Sequence, residues 1–96
     1  MEENDFGPRN FNYWNHQVIK ATIEENDLVL LIQLRFTTGT LKFVDVKDFE
    51  KRDDIISKKF FSCQHKDLDD HYKLYRIEFI DESTMDIIAK NKVYME

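Results

Sequence analysis

The alternation of apolar and polar side chains, clearest in residues 28–36, constrains the fold of this chain more than any other feature. In an extended strand every second side chain lies on the same face. The side chains that would share a face there are Leu28, Leu30, Ile32, Leu34 and Phe36. The same period of two recurs in residues 16–24, 41–46, 72–80, 84–89 and 93–95. The pattern therefore predicts a protein built from five or six strands.

Short groups of turn-forming residues separate most of these predicted strands. Residues 25–27 (Glu-Asn-Asp) and 37–39 (Thr-Thr-Gly) follow the first two strands, and residues 81–83 (Asp-Glu-Ser) follow the fourth. Gly39 is expected to adopt a positive φ in its turn. Connections this short join neighbouring antiparallel strands, so the sequence predicts an antiparallel meander.

The middle of the chain lacks this alternation. In residues 53–61, Ile56 and Phe60 are four positions apart, acidic residues come first and lysines come late, which is typical of one short helix. Residues 60–63 fit a strand equally well. Residues 63–71 are polar and acidic, which is typical of a surface loop.

Together these patterns predict one β-rich α+β domain that spans residues 1–96. It has a five- to six-stranded, mainly antiparallel meander sheet and at most one short helix, at about residues 53–61. An all-β curved sheet or half-barrel is the alternative. A length of 96 residues suits a single domain. Residues 1–10, which are polar and contain the only proline, are expected to form an irregular lead-in.

Composition excludes several classes of function. Nineteen acidic residues against fourteen basic ones give a net charge of −5, which argues against a nucleic-acid partner. The two glycines, Gly7 and Gly39, are too far apart for a phosphate-binding loop. The longest apolar run, residues 28–32, is far shorter than the roughly 20 residues that cross a bilayer, and the first residues are acidic where a signal peptide is basic. We expect a cytoplasmic protein with no membrane partner and no cofactor.

The sequence assigns neither a catalytic residue nor a metal site. Potential metal ligands cluster at Cys63, His65, Asp67, Asp69, Asp70 and His71. Structural zinc sites favour paired cysteines, and this chain has a single one, so a solvated loop is predicted instead. No serine lies in a nucleophile motif. A small hydrolase that uses a metal, or His16 or His71 as general base, is one alternative function.

Two groups of residues are candidate binding residues. Dense carboxylates can attract a basic partner protein. The carboxylates chosen for this role are Asp53, Asp54, Asp67, Asp69 and Asp70. In a second alternative, Tyr13, Trp14 and His16 bind a small nucleotide-like molecule in a pocket between two protomers. Otherwise the rings of Tyr13 and Trp14 cover the open end of the sheet.

Residues 16–19 (His-Gln-Val-Ile) and 43–46 (Phe-Val-Asp-Val) carry a family resemblance. This His-x-x-Ile opening and Phe-x-Asp-Val strand resemble a loose group of small bacterial β-sheet domains, some of them immunity-protein-like. The resemblance implies a curved antiparallel sheet and a binding role without chemistry. The function expected from the sequence is therefore a non-enzymatic protein that binds and neutralises a partner protein, immunity-like or anti-defence-like. A homodimer is also expected, because the edge strand of a small sheet invites pairing.

Overall fold

The computed structural model describes residues 6–49 and 53–95, whose secondary structure is mainly β-strand. The strands are β1 (Gln17–Glu24), β2 (Asp27–Gln33), β3 (Thr38–Val44), β4 (Asp48–Phe49), β5 (Phe60–Asp67), β6 (Lys73–Phe79), β7 (Thr84–Ala89) and β8 (Asn91–Met95). All neighbouring strands are antiparallel. The prediction of a β-rich, mainly antiparallel domain is confirmed.

The strands form two four-stranded sheets, where the sequence predicts a single sheet of five to six strands. One sheet has the order β1-β2-β3-β8 and the other has the order β4-β7-β6-β5. The division arises at Lys90, where the chain passes from β7 to β8 and the Lys90 amide donates to the Val44 carbonyl (2.9 Å). On the opposite side, the Val18 amide donates to the Lys58 carbonyl (2.9 Å), which joins β1 to the segment before β5. Side-chain alternation does not distinguish these sheets because it has the same period in both.

The inner faces of the two sheets enclose one apolar core. Leu30, Ile32 and Phe43 of the first sheet and Ile77 and Ile87 of the second are completely buried. Each such side chain stabilises the fold by about 1.5–3 kcal/mol when it leaves water. The alternating residues of β2, β3, β6 and β7 are therefore the main source of stability.

β2 ends earlier than the alternation predicts. It stops at Gln33, and the Leu34 amide then donates to the Thr37 carbonyl (2.8 Å) across a tight hairpin tip. Phe36 lies on this tip and is 88% exposed, so the prediction that it shares the buried face is wrong. The pattern misleads because side chains stop alternating between two faces once the chain turns.

No α-helix forms at residues 53–61, where the sequence allowed at most one short helix and a strand from residue 60 fitted equally well. Asp53–Ile55 forms one turn of 3₁₀ helix, and the positive φ of Ser57 (77°) prevents its continuation. β5 begins at Phe60, whose ring stacks on Phe79 with centroids 5.8 Å apart. Packing between strands thus decides the structure of a segment whose local spacing also suited a helix.

None of the helical segments in residues 6–49 and 53–95 has the length and the apolar composition of a membrane span.

β5 occupies most of the segment 63–71 that was expected to be a loop, so that prediction is wrong as far as Asp67. The strand continues because Cys63 is buried in the core and pairs with β6. The expected irregular lead-in is partly paired as well, since Asn10 and Cys63 exchange two backbone hydrogen bonds of 2.9 Å. Residues 1–5 of the lead-in lie outside the described residues.

Gly39 serves close packing and does not serve a turn. It lies in β3, and neither glycine has a positive φ, so that prediction is wrong. A Cβ at position 39 would lie 2.6 Å from the Tyr94 hydroxyl oxygen. The positive φ values required by the β1–β2 and β6–β7 turns belong to Glu25 (57°) and Glu82 (74°).

Candidate functional site

A cleft of about 540 Å³ opens where β1 begins and β2 ends. We call it the aromatic cleft, and its lining includes Trp14, His16, Gln17, Gln33, Arg35 and Lys59. No carboxylate is among its described lining residues, although acidic residues outnumber basic ones in the chain. The cleft is therefore cationic and aromatic on a molecule whose net charge is negative.

The segment before β1 holds Trp14 at the mouth of the cleft. The Trp14 amide donates to the Phe11 carbonyl (2.9 Å), and Asn15, with a φ of 67°, donates to the Phe60 carbonyl (2.7 Å). Tyr13 is buried between them and anchors this turn to the core. The Trp14 side chain itself is 55% exposed.

The β2–β3 hairpin tip forms the other side of the cleft. The Gln33 side-chain amide donates to the carbonyls of Leu34 (3.0 Å) and Thr37 (2.9 Å), which fixes the shape of the tip. The Arg35 guanidinium carbon lies 5.2 Å from the centroid of the Phe36 ring. Phe36 is thus presented to solvent from a hydrogen-bonded turn.

Two cations of the cleft have no acidic partner among the residues that the structure describes. Arg35 and Lys59 form no ion pair with any residue that the structure describes. On the second sheet, by contrast, the Nε atom of Arg76 lies 2.8 Å from Oδ1 of Asp86. The charges of Arg35 and Lys59 are consequently not neutralised by any described carboxylate.

The structure separates the three predicted ligand-binding residues. Trp14 and His16 both line the aromatic cleft, whereas Tyr13 lies inside the core with its ring centroid 6.1 Å from that of Phe60. Burial raises the pKa of the Tyr13 hydroxyl, and the neighbouring Cys63 raises it further. Tyr13 therefore supports the cleft from within and does not line it.

The five predicted acidic residues fall into two groups at opposite ends of β5. Asp53 and Asp54 lie before its first residue, and Asp67, Asp69 and Asp70 lie at or beyond its last. The eight residues of β5 span about 25 Å. The side chain of Asp53 lies outside the described part of the structure. The acidic residues consequently do not form one continuous patch.

Asp69 is used to build the β5–β6 turn. Its Oδ1 atom accepts hydrogen bonds from the amides of His71 and Tyr72, both 2.8 Å long. These bonds lower the pKa of the Asp69 carboxyl. Replacing Asp69 would alter the turn as well as the charge. Asp67 and Asp70 are therefore better probes of the acidic end, which is the group formed by Asp67, Asp69 and Asp70 at the end of β5.

The potential metal ligands between residues 63 and 71 are dispersed by β5. Along an extended strand, alternate residues such as Cys63, His65 and Asp67 are about 7 Å apart, whereas zinc ligands lie about 2 Å from one ion. In the described part of the chain, no three His, Cys, Asp or Glu side chains are grouped as a metal site. Burial raises the pKa of the Cys63 thiol, although Lys92 opposes the rise.

Arg35, Phe36 and Lys59 are site residues that sequence reasoning missed. No periodic signal marks Arg35 or Phe36, because both follow the end of β2 at Gln33. Lys59 carries no local signal, because it reaches the cleft only through the pairing of Gln17 with Lys59.

No protein-family model, curated protein or solved structure matches this chain. The resemblance to small immunity-like domains stays a prediction.

Proposed function

We propose that this protein is a non-enzymatic binding protein that neutralises a partner protein, immunity-like or anti-defence-like, by holding it against the aromatic cleft. The observation that most supports this is the exposure of Phe36 on a fixed hairpin tip, next to Arg35 and beside the cleft that Trp14 lines. Aromatic and arginine side chains dominate the binding energy of protein interfaces. Trp14, Arg35 and Phe36 supply both types at this end.

A protein surface suits this end better than a small molecule. Phe36 is not part of the cleft lining, so a ligand inside the cleft would leave its ring in water. A partner with an apolar pocket for Phe36, rimmed by carboxylates that face Arg35 and Lys59, would cover all three side chains. The expected contact is thus apolar at its centre and ionic at its rim.

The acidic residues have a secondary role in this proposal. Asp67 and Asp70 lie far from Phe36 along the molecule, and charges at that distance affect the rate of encounter more than the closed complex. A basic region on the partner would be attracted by the net charge of −5. The contact itself is assigned to Phe36 on the hairpin tip and to the aromatic cleft beside it.

The test compares the unchanged protein with Phe36→Ser and with Leu68→Ser. Leu68 is a matched control because it is 45% exposed and lies beyond the opposite end of β5. Proteins captured from the native host are identified by mass spectrometry, and the Kd of the most enriched one is then measured. Phe36→Ser is expected to weaken binding by about 30-fold, as for an interface hot spot, and Leu68→Ser by less than about twofold.

Further outcomes separate this proposal from its competitors. The unchanged protein should inhibit the partner's activity, and Phe36→Ser should not. Equal losses with both serine variants would indicate non-specific adhesion and would contradict the proposal. Loss with Asp70→Lys but not with Phe36→Ser would place the contact at the acidic end.

The other two functions remain hypotheses with tests of their own. Turnover of a substrate that disappears in His16→Asn or His71→Asn would establish a hydrolase. A different cavity, lined by Lys73 and Lys92 and not by Trp14 or His16, has features that favour the binding of a small molecule.

A further inference from the structure

A second cavity, of about 720 Å³, lies between the edges of the two sheets. Its walls come from β5, β6, β8 and residues 7–12, which form the segment that pairs with β5 through Asn10. We call it the lysine cleft, after Lys73 and Lys92. We infer that the lysine cleft binds a small anionic molecule, one that carries a phosphate or carboxylate group on a planar ring. This inference is independent of the proposed protein interface, because the two clefts share no lining residue.

The charge of the lysine cleft is opposite to that of the whole molecule. Among the residues described, its lining contains Arg9, His65, Lys73 and Lys92 but no carboxylate. The Arg9 guanidinium is neutralised by Glu78, with Nε 2.9 Å from Oε1, so the unpaired positive charge comes from the two lysines. Neither lysine forms an ion pair with a described residue. Asp67 lies opposite Lys73 in the register of β5 and β6, but the two side chains form no ion pair. Two cations without carboxylate partners in a concave site favour an anionic ligand.

Aromatic rings hold the Lys92 ammonium in place. Its Nζ atom lies 5.0 Å from the ring centroid of Tyr13 and 6.0 Å from that of Tyr75. Both rings are buried, so Lys92 is oriented before any ligand arrives. A cation that is already oriented loses less conformational entropy when it binds an anion.

The opposite wall is also fixed. Asn10 pairs with Cys63 through two backbone hydrogen bonds, and the Asn12 amide donates to Oδ1 of Asn10 (2.9 Å). Phe11 lines the cleft between them and is half exposed, with its ring nearly perpendicular to that of Phe61 and the centroids 5.5 Å apart. The exposed part of this ring offers an aromatic surface to a planar group. The volume is within the range of small-ligand sites.

The test is an NMR titration of the ¹⁵N-labelled full chain with four probes. The probes are inorganic phosphate, adenosine monophosphate, benzoate and adenosine, which separate the anion from the ring. Adenosine monophosphate or benzoate is expected to shift the amides of Asn12, Asn91 and Lys92 saturably. Adenosine, which lacks the negative charge, is expected to bind at least about tenfold more weakly than adenosine monophosphate.

Variants connect the shifts to the cleft. Lys92→Gln and Lys73→Gln should each weaken binding of the anion by about tenfold. Lys20→Gln is the matched control, because Lys20 is an exposed lysine on β1 with no ion pair to a described residue, and it should leave binding unchanged. Thermal unfolding shows whether each variant is folded. If Lys92→Gln does not fold, the effect of Lys73→Gln on anion binding decides whether the lysine cleft is the site.

Each result decides for or against the anion site. Saturation by adenosine monophosphate alone assigns a phosphate ligand, and saturation by benzoate alone assigns a carboxylate ligand. Absence of saturable shifts up to about 5 mM of every anion would overturn the inference. Equal binding of adenosine and its monophosphate, equal losses in the Lys20 and Lys92 variants, or shifts confined to the aromatic cleft would overturn it as well.

Discussion

At the scale of single residues, the contact between Gly39 and Tyr94 makes the sharpest prediction. Gly39→Ala places a methyl group 2.6 Å from the Tyr94 hydroxyl oxygen, so the ring must move, and we expect a loss of about 1–3 kcal/mol in the free energy of unfolding. Urea denaturation measures it. Gly7→Ala is the control, because its Cβ would meet nothing closer than the His65 carbonyl oxygen at 3.8 Å. Equal unfolding midpoints for the two variants would contradict this reading of Gly39.

Single residues also show which parts of the candidate site can be predicted from sequence. Trp14 and His16 stand out because an aromatic, polar run before a strand is visible in the sequence itself. Phe36 does not, because its exposure depends on where β2 ends, and the Gln33 hydrogen bonds that end it are not periodic. The contact that reserves position 39 for glycine comes from a ring 55 positions later in the chain.

At the scale of secondary structure elements, the strands of alternating polarity were predictable and the rest of the fold was not. β2, β6 and β7 place alternate residues in the core, which is a local property of their sequences. The full length of β5 was not predicted, because its register shifts between Phe60 and Ser62 and this bulge breaks the period of two. The division into two sheets depends on the bend at Lys90, for which the sequence has no periodic signal.

The β6–β7 turn predicts how stability depends on pH. Lys58 and the Ser83 amide both hydrogen-bond to Asp81, and they hold the pKa of its carboxyl well below its ordinary value of 3.8. The Asp81 carboxyl of the unfolded chain therefore binds a proton more readily than that of the folded chain. The contribution of Asp81 to the free energy of unfolding is complete above pH 3.8 and is lost as the pH falls toward the lower pKa of the folded state. Asp81→Asn should destabilise the protein at pH 7 and by progressively less below pH 4, as measured by urea unfolding at several pH values.

The control for this variant is Asp70→Asn, because the Asp70 carboxylate has no ion pair or hydrogen bond to a described residue. It should change stability little at either pH. A penalty for Asp81→Asn that stays the same at pH 7 and pH 2 would refute the ionic explanation.

The segment that pairs with β5 predicts the reactivity of the only thiol. Asn10→Pro removes the amide that donates to the Cys63 carbonyl (2.9 Å), so the segment should detach locally and admit reagents. We expect Cys63 to react with a disulfide reagent at least about tenfold faster than in the unchanged protein. Arg9→Ala keeps the backbone pairing and should react at the original rate. Identical rates for all three proteins would show that the segment does not shield Cys63.

At the scale of the whole molecule, the separation of charge from aromatic surface predicts two kinds of kinetic effect on the proposed complex. Asp67→Lys combined with Asp70→Lys should lower the association rate constant and change its salt dependence, because these residues act at long range. Phe36→Ser should instead raise the dissociation rate constant, because it removes a contact. Surface plasmon resonance with the captured partner, at two salt concentrations, separates the effects. A change confined to dissociation in the aspartate variant would contradict long-range attraction.

The passage of β7 directly into β8 has a consequence for how the domain opens. Residues 84–95 are a single run that supplies a strand to each sheet, interrupted only by Lys90. If this run detaches, the second sheet loses an internal strand and the first loses its edge strand together, so the opening of one sheet is coupled to the opening of the other. Native-state hydrogen exchange should therefore give one common opening free energy for the slowest amides of β2 and β6, the signature of a single cooperative unit.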